Sequence, residues 1–343
     1  MRAFFDIINV IKFSIIKYLL LRKETKMNIN ILRVIALLDI ILIHTLKSQP
    51  NFNLLNFMFT FVSIGINLFI IISGYLLLDK DEDIIVFYKK RVVSILPLFI
   101  MWSFIYIIYY KENPFYVLSG YRYAAGHLWY IPMILGLYLI TPWLRKVLKY
   151  CEKETLVIVL LWFIINVLNP MLIFFKLPFL NLSSFPIVGF LGYYLLGYYI
   201  KKYSSQLKVK YFYIIYMLGF LFTYFISYYF MNYMGKKNVF FYDKNSISVF
   251  FMSISFFIII LKVDFSYLTS KAKKVLNFLS KYSYHVYLAH LLFYEIGLKI
   301  TKNFYLVTIF CVCSSYLFSY LFDCIIKIAV KIFTIFQSKK NLV

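Results

Sequence analysis

Acid is scarce in this sequence: 14 Asp and Glu stand against 37 Lys and Arg in 343 residues, a formal net charge of +23. Charged residues of both signs make up only 15% of the chain and hydrophobic ones 63%, which excludes both a charge-covered soluble globule and a disordered chain. Cysteine is scarcer still, at four residues. Cys151, Cys311, Cys313 and Cys324 show neither zinc-ligand nor redox-pair spacing, and three of them fall in the last apolar run, so they read as small core residues and not as disulfides. No Gly-x-Ser-x-Gly element, phosphate-binding glycine loop or metal-ligand spacing is present, and no internal repeat suggests a transporter's inverted halves. Positive charge without a recognised binding motif leaves nucleic acid out as a partner. No loop is long enough to fold as a second domain.

What is present is long apolar runs. They predict an all-α polytopic membrane protein in one domain, residues 27–343, with about ten spans at 29–46, 55–78, 92–110, 128–144, 156–175, 185–200, 211–230, 247–261, 282–298 and 304–326. Segments flanking alternate span ends hold 27 of the Lys and Arg residues, and the opposite loops hold nine. By the positive-inside rule both termini are expected in the cytoplasm, and with no organelle signal the expected membrane is the bacterial inner membrane. Residues 1–26 are apolar but interrupted by Asp6, Lys12 and Lys17, which argues against a cleaved signal peptide. An interfacial amphipathic helix and an extension upstream of a start at Met27 both remain open.

RVIALLDIILIH, from Arg33 to His44, is the stretch around which the chain is organised. A charge inside a span is costly and marks a functional candidate. Eleven residues make about three turns, so Arg33 and His44 project from nearly the same face, roughly 16 Å apart along the axis. Asp39 faces away from that stripe, with no role beyond an interhelical partner. A cation low on a helix and an imidazole above it suit a long donor with an anionic head and a reactive far end. Guanidinium fits phosphate, and imidazole fits a general base for activating a hydroxyl. Against these stand blander readings: a snorkelling flank residue for Arg33 and an interhelical hydrogen bond for His44.

These residues also resemble the acyltransferase type 3 family of integral-membrane O-acyltransferases, which acylate sugars of bacterial surface glycans. The Arg-x10-His pair is followed in order by GINLFIIISGYLL (Gly65 to Leu77), FYKKRVVSILPLF (Phe87 to Phe99), GHLWYI (Gly126 to Ile131) and SYHVYLAH (Ser283 to His290). The resemblance spans about residues 28 to 330. It implies His44 as catalytic base. Acyl-coenzyme A, acetyl-coenzyme A first, is then the donor substrate, with no permanently bound cofactor and no metal. The implied partners are membrane lipids and an acceptor hydroxyl on a surface polysaccharide or lipid-linked sugar.

Donor-binding candidates are Arg33, Lys90, Arg91 and Tyr75, the last beside Ser73 and Gly74, where glycine permits close helix approach. Acceptor-side candidates are His127 and Trp129, with Trp129 also at home in an aromatic belt. The chain departs from the family at three places. Ser94 stands where a second arginine follows Arg91, and Ile134, Leu135 and Gly136 stand where many members carry a glutamate pair. His285 replaces a usual glycine. His285 and His290, five residues apart, do not share a helix face and are expected to be structural. The rival class is a polysaccharide export or flippase component, which needs a wider polar cavity than so few intramembrane charges provide.

Overall fold

A computed structural model describes residues 27–46, 51–177, 189–233 and 239–340, and residues 1–26 lie outside it. Within hydrocarbon every backbone group must be satisfied internally, and the described residues answer with helices. In chain order these are α1 (Met27–Thr45), α2 (Phe52–Val62), α3 (Gly65–Leu77), α4 (Ile84–Tyr110), α5 (Pro114–Leu118) and α6 (Tyr130–Tyr150). After them come α7 (Glu152–Phe163), α8 (Asn169–Phe174), α9 (Leu191–Tyr203), α10 (Val209–Tyr233), α11 (Ile247–Lys262), α12 (Ser270–Ile300) and α13 (Phe304–Lys340). Asp83 caps α4 by accepting from the Val86 N–H at 3.0 Å, and Thr269 caps α12 through the Ala272 N–H at 3.2 Å. Between α7 and α8 one π-helical turn, Ile164–Leu168, precedes Pro170, and Asn166 there accepts from the Gly189 N–H at 3.0 Å.

Eight helical segments among the described residues are long and apolar enough to cross a membrane. They fall on eight of the expected spans; the remaining two, 185–200 and 282–298, belong to α9 and α12. Of α9 the structure describes 13 residues, too few to count by length, whereas α12 carries lysines and other polar residues that lower its apolarity. Tyr193, Tyr194, Tyr198 and Tyr199 of α9 are buried, as are Ser280, Ser283, His285 and His290 of α12.

The centre of the bundle is α1, packed between α3 and α12, with α9 against α3. Lipid tails are as apolar as leucine, so such contacts depend on close packing and interhelical hydrogen bonds. The α3–α9 crossing has no room for a side chain. A Cβ at Gly74 would lie 1.8 Å from the Tyr194 carbonyl oxygen, and one at Gly197 would lie 2.4 Å from that of Ile71. The expected close approach at Gly74 is therefore real. Asn30 ties α1 to α12 by donating to Asn277 Oδ1 at 2.8 Å and accepting from the Ser280 hydroxyl at 3.0 Å. Asp323 of α13, buried, accepts from Tyr282 at 2.6 Å and from Lys281 at 3.0 Å, fastening α13 to α12. By contrast α10 and much of α4 present Ile108, Phe104, Leu218 and Phe225 outward.

Gly65, at the start of α3, meets α1 at Ala36 and Asp39. From that level α3 runs down to Leu77 beside the amino-terminal half of α1. Helix α4 climbs from Ile84 at that same end to Tyr106, which meets His127, and α6 descends again from Tyr130 to Arg145. The bundle thus has a basic end, with Lys90, Arg91 and Arg145, and a histidine end.

Candidate functional site

At the histidine end three imidazoles from three elements meet. The His290 ring of α12 lies 5.2 Å from the His44 ring of α1 and 4.9 Å from that of His127. His127 is carried on the 3₁₀ turn Gly126–Trp129 that opens α6. His44 is half-buried, whereas His127 and His290 are buried.

The hydrogen bonds fix the tautomers of the two buried rings. A carbonyl can only accept, so a ring nitrogen facing one must carry the proton. His290 Nδ1 lies 2.6 Å from the Tyr287 carbonyl and is therefore the donor, which leaves Nε2 as a lone pair with no hydrogen-bond partner. His127 Nε2 lies 3.3 Å from the Leu288 carbonyl, leaving Nδ1 likewise bare. Two buried acceptors beside His44 form a setting in which an incoming hydroxyl or an imidazolium N–H gains partners. The surrounding aromatic wall holds the rings in place. Tyr106 meets His127 edge-on at 5.3 Å, and the Tyr287 hydroxyl donates to the His127 carbonyl. Tyr106 also donates to the Leu288 carbonyl at 2.8 Å while accepting from the Leu292 N–H at 3.2 Å.

The sequence places His44 and His127 at one level, and the structure joins them through His290, a residue expected to be structural. Spacing along one helix misses this meeting because the partner sits on a distant element. The available signal was vertical: His290 lies on a rising span at the height of His44. Trp129, the other acceptor-side candidate, is half-buried, stacked on Phe190 at 5.6 Å with the Lys244 ammonium 5.5 Å from its ring. Among the described residues no group of His, Cys, Asp and Glu could hold a metal ion.

At the basic end the donor-side candidates separate. Arg33 is half-buried on α1, three turns below His44. Lys90 is exposed and bonds Glu82 Oε1 at 2.6 Å. The Arg91 guanidinium lies 5.3 Å from the Phe87 ring and 6.0 Å from the Tyr138 ring. Tyr75 turns elsewhere, edge-on to Phe257 of α11 at 5.7 Å. Its neighbour Ser73 is the residue that reaches this region, with its hydroxyl 3.3 Å from that of Tyr138. Arg145, counted from sequence only as loop charge, joins the group with its guanidinium 4.5 Å from the Phe87 ring.

Glu82, in the turn outside the spans, holds its carboxyl below the usual range. Burial alone would raise it, but the Lys90 hydrogen bond and the charges of Lys90, Arg91 and Arg145 together outweigh burial. Asp39 is buried on the opposite face of α1 against Gly65, with one carboxylate oxygen unbonded.

The family profile described as an acyltransferase domain, of the type 3 acyltransferases, matches residues 27–324. No curated protein matches the chain, and no solved structure matches it.

Proposed function

From membership of the type 3 acyltransferase family, which makes this chain a multi-pass membrane acyltransferase, we propose an O-acyltransferase reaction in which acyl-coenzyme A, acetyl-coenzyme A first, is the donor. The acceptor is a hydroxyl of a surface polysaccharide or lipid-linked sugar, and the membrane is the bacterial inner membrane with the basic end cytoplasmic. The observation that carries this reading is the meeting of His44 with His290 and His127 at one end, on the same helix stripe that places Arg33 toward the other.

In this reading phosphates of the donor rest among the cations of the basic end, Arg33 and Arg91 foremost, because guanidinium is always charged and bonds phosphate bidentately. The pantetheine arm rises through the bundle and brings the thioester to His44. His44 takes the proton of the acceptor hydroxyl as its oxygen attacks the thioester carbonyl. The carbon–sulfur bond breaks, the ester is released, and the thiolate of coenzyme A recovers the proton from the imidazolium. The bare nitrogens of His290 and His127 lie close enough to orient His44 and the acceptor hydroxyl. Sharing the work among three imidazoles would offset the missing glutamate pair.

The test is mass spectrometry of surface glycans from cells carrying the wild type or His44→Ala, joined to coenzyme A binding by the purified proteins. His44→Ala is expected to insert and bind coenzyme A near normally but to lose glycan acylation. Arg33→Ala is expected to bind coenzyme A on the order of 10- to 150-fold more weakly, the value of a hydrogen bond to a charged group. Wild-type acylation by a well-expressed His44→Ala protein would sink the base assignment.

A further inference from the structure

Two guanidinium groups from different helices surround one carboxylate at the basic end. Arg145 of α6 is the more enclosed, with a side chain only 10% exposed. Its Nε donates to the Leu77 carbonyl at 2.9 Å, which fixes the plane of the fork. The other two nitrogens, Nη1 and Nη2, are buried and make no hydrogen bond. The nearest carboxylate oxygen is Glu82 Oε2, 3.6 Å from Nη2, an ion pair beyond hydrogen-bond length. Glu82 Oε2 itself is buried and unbonded, because the carboxylate commits its other oxygen to Lys90. Arg91 of α4 shares the Phe87 ring with Arg145, and its Nε is also buried without a partner.

Such an arrangement neutralises charge without satisfying direction. Buried guanidinium nitrogens left unbonded are costly, and one carboxylate tied to a lysine cannot serve two forks. A phosphate can, since its several oxygens are spread around one centre and match the bidentate geometry of guanidinium. Serine at position 94 leaves α4 without a second cation one turn beyond Arg91, and its hydroxyl bonds the Lys90 carbonyl instead. The second cation beside Arg91 comes from α6.

We propose that Arg145 and Arg91 form a two-pronged phosphate seat for the donor, and that Glu82 is a resident anion displaced when the phosphate arrives. The seat rests on the coenzyme A reading for the identity of its ligand. Its own content is the pairing of α4 with α6 and the exchange of one anion for another. Glu82 lies in the turn between α3 and α4, outside the membrane-spanning segments, so it can withdraw without breaking a helix. Its depressed carboxyl range is that of an ionised counter-anion.

The experiment measures binding of coenzyme A, and separately of inorganic pyrophosphate, to the full chain in nanodiscs by calorimetry. Arg145→Gln should weaken coenzyme A binding on the order of 10- to 150-fold. Glu82→Gln should act in the opposite direction, tightening it about two- to five-fold as the competing anion is removed. Opposite signs separate the seat from misfolding, which would weaken both variants. Wild-type binding by Arg145→Gln, or weaker binding by Glu82→Gln, would overturn the seat while leaving the donor reading intact. Pyrophosphate binding that needs Arg145, without any coenzyme A binding, would keep the seat and remove the donor. If the wild type binds neither probe, both fall.

Discussion

Tyr106 bridges the Leu288 carbonyl and the Leu292 N–H, the two groups of one turn of α12, and His290 sits inside that turn. A hydroxyl from α4 thereby helps set the height and rotation of an imidazole on another helix. Glu82 offers a pH test at the same scale. Its folded carboxyl range is depressed, so its contribution to stability is fully present above the unfolded value of about 4.3 and is lost as pH falls through the folded value. In thermal unfolding of detergent-purified protein the wild type should exceed Glu82→Gln near pH 7, and the gap should close below about pH 4. A gap that persists unchanged into acid would mean the Glu82 charge contributes nothing. The placement of Arg33 and His44 on one helix was legible in the sequence, because the spacing is local. His290 and Arg145 were not, because their meaning comes from partners more than 50 residues away along the chain, His44 and His127 for one and Glu82 and Phe87 for the other.

Among the elements, α3 and α9 supply the most demanding contact. Gly74→Ala would place a methyl 1.8 Å from the Tyr194 carbonyl oxygen, so α9 must move away. We expect a loss of at least about 1–3 kcal/mol, the usual cost of overpacking. Gly136→Ala on α6 is the matched control, since nothing lies within 4 Å of its added methyl. It should be neutral or gain about 0.5–1 kcal/mol from helix propensity. Thermal unfolding of the two proteins in one detergent checks the pair, and equal stability would contradict the tight crossing. The elements themselves were largely readable. Eight spans announce themselves by length and apolarity, and Gly74 signals its close neighbour. Helix α12 was harder, since burial among other helices lets a span carry tyrosines, serines and histidines that resemble loop composition.

For the whole molecule, Cys151 can test the proposed cytoplasmic placement of the basic end. This thiol is exposed between α6 and α7, just beyond Arg145. In a Cys311→Ser, Cys313→Ser, Cys324→Ser background, a membrane-impermeant maleimide should leave Cys151 unmodified in intact cells and label it after permeabilisation. Labelling of intact cells would invert the orientation.

One continuous helix, α4, carries both Arg91 at the basic end and Tyr106 beside His127. From one residue to the other it rises about 22 Å at the usual increment per residue. That distance can change only by bending the rod, and Pro97 is the one weak point along it. For the proposed phosphate-headed thioester donor the helix would work as a ruler. A thioester whose carbonyl is too near its phosphate, or too far from it, meets one end or the other but not both. On the proposed donor reading, selection by length would precede any inspection of the acyl group by a side chain.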